Sequence, residues 1–207
     1  MKQLFLCSYF AGVKNLFRQY ASEKQLGKHV LFIPTAGNVE EYRGYIYEAL
    51  QTFADLGFQV EILDISACDR ETAQAKIFQS KLLYVSGGNT FYLLQELKKK
   101  QLLSLIKEQI ADGMVYLGES AGAIITAKDI DYNKIMDDKV VAKELNDTGA
   151  LNEVDFYVLP HVGEEPFVES AQATLDTYSD QLNLLPLNNR QAVLVEGEEV
   201  KVLEEDK

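Results

Sequence analysis

The chain has 207 residues, 47% of them hydrophobic, enough for one compact domain with a sizeable core and against wholesale disorder. Its 20 Lys plus Arg against 32 Asp plus Glu leave a formal charge of −12, a field that repels phosphate backbones and argues against a nucleic-acid partner. No apolar run approaches the ~20 residues that a membrane span needs, so no membrane partner is expected.

The N-terminal stretch MKQLFLCSYFAG has one lysine and a short apolar patch. It lacks the longer apolar core of a signal peptide and reads as a first β-strand of a cytoplasmic protein. Cys7 and Cys68 lie in or beside apolar strand-like segments and read as buried thiols. His29 to Pro34 is a buried strand stopped by Pro34 and followed by the turn Thr35-Ala36-Gly37-Asn38. From Glu41 to Leu56, Tyr45, Ala49, Phe53 and Leu56 recur at helical spacing, and Gly57 is placed to cap the helix. Phe58 to Ile65 is the next strand, Arg70 to Gln79 a short helix, and Lys81 to Val85 another strand. Ser86-Gly87-Gly88-Asn89-Thr90 then leads into a helix through Phe91, Leu94 and Leu97, and Leu102 to Ala111 forms one more.

Gly113 introduces the strand Met114 to Leu117, which runs into Gly118-Glu119-Ser120-Ala121-Gly122 and then helix-forming residues. Lys128 to Gly149 is polar and without period, an expected loop excursion. Val154 to Pro160 returns as a strand, and Gln191–Val195 with Glu199–Leu203 forms a terminal hairpin. Strands alternating with helices across short Gly-rich connections predict one α/β domain over residues 1–207. Its expected fold is three-layered, a mostly parallel central sheet with helices on both faces plus a C-terminal β-hairpin. The active crevice of such a sheet lies at the carboxyl ends of its strands, where three glycine-bearing loops (35–37, 86–89 and 118–122) are expected to converge.

Gly-x-Ser-x-Gly at a strand-to-helix junction matches a nucleophile elbow, in which glycines permit the sharp turn and the serine projects above the sheet. The Ala121 N–H would then face the oxygen of a tetrahedral intermediate, and Gly87-Gly88 is the natural second donor, since two glycines after a strand let a backbone N–H approach a substrate closely. Gly87-Gly88-Asn89-Thr90 lacks the lysine-bearing pattern of a phosphate loop. Only two histidines are available to act as base. His29 starts its strand, at the wrong edge of the sheet, whereas His161 follows a strand and shares the edge of Ser120. Of the carboxylates available to orient it, Asp155 lies deep in its strand, several residues from the catalytic edge, and spacing leaves Asp129, Asp131, Asp137, Asp138, Asp147 and Glu153 open. The carboxylates from Glu196 to Asp206 have no His or Cys near them and read as a solvated tail, so no metal and no cofactor is expected.

SGGNTF (Ser86 to Phe91), GESAGA (Gly118 to Ala123) and LPH (Leu159 to His161), in this order, resemble the peptidase E family of aspartyl dipeptidases, whose relatives include cyanophycinase. The resemblance implies a fold like the class I glutamine amidotransferases, with a serine in place of their cysteine. It implies Ser120 as nucleophile, His161 as base and Gly88 with Ala121 as the oxyanion hole. Asn89 and Thr90 of the same motif are expected to bind substrate. The family's third member is an Asp some way after the serine. Met136-Asp137-Asp138 is the matching region, with Asp138 favoured and Asp137 close behind.

The implied activity is hydrolysis of dipeptides or small peptides, for the family those with an N-terminal aspartate, through an acyl-enzyme. The alternatives are a cyanophycinase-like hydrolase of β-aspartyl peptides, or a non-catalytic binding protein of the same fold. The expected partner is a small peptide, and the chain a monomer or homodimer. Relatives bind the aspartyl side chain with an arginine after the histidine. Here Val162 to Gln181 contains no Arg or Lys but has Glu164, Glu165 and Glu169. The sequence therefore predicts no clear preference for an N-terminal aspartate.

Overall fold

A computed structural model describes residues 1–206. In chain order its strands and helices are β1 (Gln3–Cys7), α1 (Lys14–Glu23), β2 (His29–Ile33), α2 (Gly44–Asp55), β3 (Gln59–Ile62), α3 (Arg70–Gln79), β4 (Leu82–Val85), α4 (Thr90–Lys99), α5 (Leu103–Ala111), β5 (Val115–Glu119), the short α6 (Ala121–Ile124), β6 (Tyr157–Leu159), α7 (Val168–Tyr178), β7 (Leu184–Pro186), β8 (Gln191–Glu196) and β9 (Glu199–Glu204).

The first five strands form a parallel sheet in the order β3-β2-β4-β5-β1, extended by β8 and β9 into seven strands. β8 runs antiparallel to β1 and β9 antiparallel to β8, so the predicted terminal hairpin closes one edge of the sheet. Strands in the middle of such a sheet are covered on both faces, which is why β4 and β5 are buried at every position. One face carries an aromatic core in which Phe17 of α1 and Phe53 of α2 meet Phe5, Phe10, Phe32 and Tyr84. The other face is aliphatic, with Ala73 and Ile77 of α3, Leu94 and Leu97 of α4 and Ile106 of α5 packed on Leu31, Leu83 and Tyr116. The fold is thus the expected mostly parallel sheet with helices on both faces.

Several elements differ from the reading of the sequence. Helix α1, with Phe17, Tyr20 and Ala21 buried at helical spacing, and helix α7 fall where no helix is predicted. β6 does not join the central sheet; it pairs in parallel with β7 as a separate two-stranded sheet. The excursion 128–149 includes two 3-10 turns, and the first anchors Tyr132 and Asn133 in the core despite its polar composition. Cys7 is buried as expected, whereas Cys68 is only partly buried. No helix among the described residues is long and apolar enough to cross a membrane.

Candidate active site

The carboxyl ends of β1, β2, β4 and β5 converge, and backbone hydrogen bonds tie their loops together. The Ser120 N–H donates to Cys7 O at 2.9 Å, Ser86 N–H to Ile33 O at 3.0 Å and Asn89 N–H to Ala36 O at 2.9 Å. The three predicted glycine loops therefore meet at one edge.

Ser120 sits at φ 47°, ψ −107°, a left-handed conformation that a non-glycine residue adopts at a cost of order 1–3 kcal/mol. The glycines on either side make this turn possible. A Cβ on Gly118 would lie 2.4 Å from Gly122 O, and one on Gly122 would lie 2.1 Å from Val85 O. With no side chain at either position, helix α6 presses directly onto β4 and β5. The N–H groups of Ala123 and Ile124 donate to Ser120 O, whereas those of Ala121 and Gly122 have no preceding turn to accept them and are open to an incoming oxygen.

The Ser120 hydroxyl lies 3.0 Å from Nε2 of His161. His161 follows β6 at φ 60°, so the only two site residues with reactive side chains are also among the few non-glycine residues at positive φ. Its backbone N–H is held by the Ser8 hydroxyl at 3.2 Å, and Ser8 in turn donates to Leu187 O. Phe167 stacks on the imidazole at 4.6 Å between ring centroids and 20° between planes. Burial pushes the imidazolium below the ordinary histidine range, partly offset by the hydrogen bond it donates to Asn189 and by the Glu164 charge. The ring is therefore a free base at neutral pH.

The orienting partner is not the expected one. Nδ1 of His161 lies 2.7 Å from Oδ1 of Asn189 in the turn before β8. A carboxamide oxygen only accepts, so it holds the proton on Nδ1 and leaves the Nε2 lone pair toward the serine hydroxyl. Asn189 is itself fixed: its N–H donates to Glu164 Oε1 at 3.3 Å, and Gly12 approaches so closely that a Cβ there would sit 2.0 Å from Asn189 O.

Asp138 lies elsewhere. Its carboxylate accepts from the Val140 N–H at 2.8 Å and caps a 3-10 turn. Asp137 does not orient the histidine either. It is half-buried against the start of α4, accepting from Thr90 N–H at 2.7 Å and from Asn133 Nδ2 at 2.8 Å, and desolvation of the carboxylate pushes it up to about 6. Segment 137–138 thus braces the loop after β4: the Asp138 carbonyl also accepts from Asn89 Nδ2 at 2.9 Å.

Asn89 and Thr90, expected to bind substrate, are buried and engaged within the fold. Asn89 Oδ1 caps α4 by accepting from Tyr92 N–H, and the Thr90 hydroxyl accepts from Asn133. Gly88 is at φ +127°, and a Cβ on it would stand 2.3 Å from the Ala36 carbonyl carbon, so only glycine lets this loop close on 35–37. Its neighbour Gly87 lies against Ser120, with a built Cβ 3.3 Å from Ser120 Cβ. His29 stands exposed at the opposite edge, 3.6 Å from Glu61.

Sequence reasoning missed Asn189 and Phe167, because neither lies in a recognisable motif. The one available signal for Asn189 was its place in a polar turn, Asn188-Asn189-Arg190, that enters a strand beside β1.

A strained serine on a parallel α/β sheet, bonded to an imidazole whose tautomer is fixed from behind, is the arrangement of the serine hydrolases. The chain matches Peptidase family S51 over residues 6–203, and it belongs to that family, the peptidase E family, as a serine-type peptidase. It is 48% identical over 198 residues to an uncharacterized peptidase of Pasteurella multocida (strain Pm70), covering 96% of this chain and 95% of that one. Peptidase E of Nostoc sp. (strain PCC 7120 / SAG 25.82 / UTEX 2576) is 28% identical over 166 residues, 77% of this chain and 65% of its own. The 1.5 Å crystal structure of a presumed peptidase E protein from Listeria monocytogenes EGD-e superimposes with a TM-score of 0.94 at 41% identity, over 100% of both chains.

Proposed function

We propose that this peptidase hydrolyses dipeptides or other small peptides through a Ser120–His161–Asn189 triad. The observation that carries the proposal is the unbroken relay Ser120 Oγ, 3.0 Å, His161 Nε2, and His161 Nδ1, 2.7 Å, Asn189 Oδ1. His161 takes the hydroxyl proton as Ser120 Oγ attacks the scissile carbonyl carbon. The N–H groups of Ala121 and Gly88 receive the developing oxyanion. The imidazolium then gives its proton to the leaving amine. Water, activated by the same nitrogen, releases the acyl group from Ser120.

The first residue of the substrate need not be aspartate. Glu164 stands next to the triad, where it bonds Asn189. The Arg43 guanidinium, the cation closest to the 35–40 loop in sequence, is engaged by the carbonyls of Glu40 and Asn38. A carboxylate side chain entering such a crevice loses water without gaining a cation, which costs several-fold in affinity or more. The test is kcat/KM for Asp-Leu, Ala-Leu and Lys-Leu under one set of conditions. The expected result is turnover with no clear preference for Asp-Leu. An Asp-Leu preference of about a hundredfold, roughly 2.7 kcal/mol of transition-state binding, contradicts the specificity reading. Turnover by Ser120→Ala equal to wild type contradicts the mechanism.

A further inference from the structure

Glu119, the residue before the nucleophile, has no part in the relay and yet is 1% exposed. Its carboxylate reaches three separate segments. Oε1 accepts from the Phe10 N–H at 2.7 Å, in the loop after β1. Oε2 accepts from the Tyr84 hydroxyl on β4 and, in a longer contact of 3.5 Å, from the Gly87 N–H. Gly87 is the residue that touches Ser120, and its peptide bond to Gly88 carries the second oxyanion donor. The fully buried Ser86 holds that peptide from the other side, its hydroxyl donating to Gly87 O at 3.0 Å. A trans peptide points its N–H opposite its C=O, so fixing the Gly87 carbonyl fixes the direction of the Gly88 N–H.

We propose that Glu119 is a positioning residue for the oxyanion hole: its carboxylate clasps the Phe10, Tyr84 and Gly87 segments and thereby sets the loop that presents the Gly88 N–H. The proposal rests on Ser120 being the nucleophile. As a carboxylate Glu119 is acceptor only and can serve all three donors. As an acid it carries a proton on one oxygen and must give up part of that set. Burial, and secondarily the Glu48 charge, push Glu119 up to about 7 against the hydrogen bonds from Phe10, Tyr84 and Gly87, so the clasp changes state near neutrality.

The thiol and the phenols that face it titrate higher. Burial raises the Cys7 thiol on β1 well above its ordinary value, and does the same for the Tyr84 phenol on β4. Burial likewise raises Tyr9, which donates to Glu48 of α2 at 2.6 Å, and Tyr45 of α2. His161 titrates below its ordinary range. Asp137, which desolvation pushes up to about 6, braces the Asn89–Thr90 side of the same loop, so the limb nearest pH 7 is assigned to Glu119 and a lower one is left to Asp137 and the base.

The test follows the rate of Ser120 phosphonylation by a fluorophosphonate across pH, together with the amide resonances of Gly87 and Gly88. Wild type should lose reactivity below about pH 7, and both glycine amides should titrate with the same midpoint. Glu119→Gln should react roughly 10- to 100-fold more slowly on the plateau, with its acid limb moved to lower pH and the amide titration near pH 7 gone. Tyr84→Phe removes a donor to the carboxylate, so its limb should move to higher pH; this variant decides the matter if Glu119→Gln does not fold. A wild-type rate and limb in Glu119→Gln, an unmoved limb in Tyr84→Phe, or flat Gly87 and Gly88 amides through pH 7 overturns the proposal. If wild type is not phosphonylated at Ser120, the nucleophile assignment fails, and the glycine amides alone decide the role of Glu119.

Discussion

Asn189 puts a neutral amide where most serine hydrolases place a carboxylate. Its oxygen can hold the His161 tautomer as a carboxylate would, since both accept from Nδ1–H. It brings no charge to stabilise the imidazolium formed during attack, and burial already disfavours that cation. The pair is therefore biased toward a free base at neutral pH, with a weaker driving force for taking the serine proton. Two outcomes follow. Asn189→Ala leaves the tautomer unfixed and should lower kcat about 100-fold or more. Asn189→Asp adds an anion beside the ring, which favours the charged form, so the His161 pKa should rise. With two histidines in the chain, and His29 exposed at the far edge, the imidazole resonances report this directly. An unchanged His161 pKa in Asn189→Asp would show that the 2.7 Å contact does not govern the ring.

The elbow joining β5 to α6 was legible in the sequence because its constraint is local. Backbone passes so close to backbone at Gly118 and Gly122 that a methyl group at either has nowhere to go. Gly122→Ala should destabilise the fold by about 3 kcal/mol in urea unfolding, because its Cβ would meet the Val85 carbonyl and the α6 backbone already rests on β4. Gly27, whose Cβ would meet nothing within 4 Å, gives the matched control and should change stability little when replaced by Ala. Equal midpoints for the two variants would remove close approach as the reason for glycine in the elbow.

The triad's third member was not legible, for a physical reason. Its position depends on how β6, β7 and β8 are arranged relative to β1, and pairing across 28 residues leaves no mark on either segment. Asp137 and Asp138 stood in the region that the family resemblance pointed to, but their hydrogen bonds go to the Asn89–Thr90 loop. Helices α1 and α7 were missed differently. Phe17, Tyr20 and Ala21 do carry a helical stripe, but it is short and follows directly on a strand and a 3-10 turn.

At the scale of the whole molecule, strand order does what no single motif does. The first five strands are parallel, so their carboxyl ends share one edge, and the loops after β1, β2, β4 and β5 all reach it. The antiparallel β8 delivers Asn189 to that same edge at its amino end, which is why the proposed triad spans residues 120, 161 and 189. The chain carries a formal charge of −12, and Glu164 bonds Asn189 beside the site, which supports the proposed indifference to an anionic first residue. Every part of this account depends on Ser120 being activated by His161. The most direct measurement is mass spectrometry of the intact protein after fluorophosphonate treatment, comparing wild type with His161→Gln. The account predicts one adduct in wild type, mapped to Ser120, formed at least 100-fold more slowly when His161 is replaced. An adduct on another residue, or equal rates in the two proteins, would contradict it.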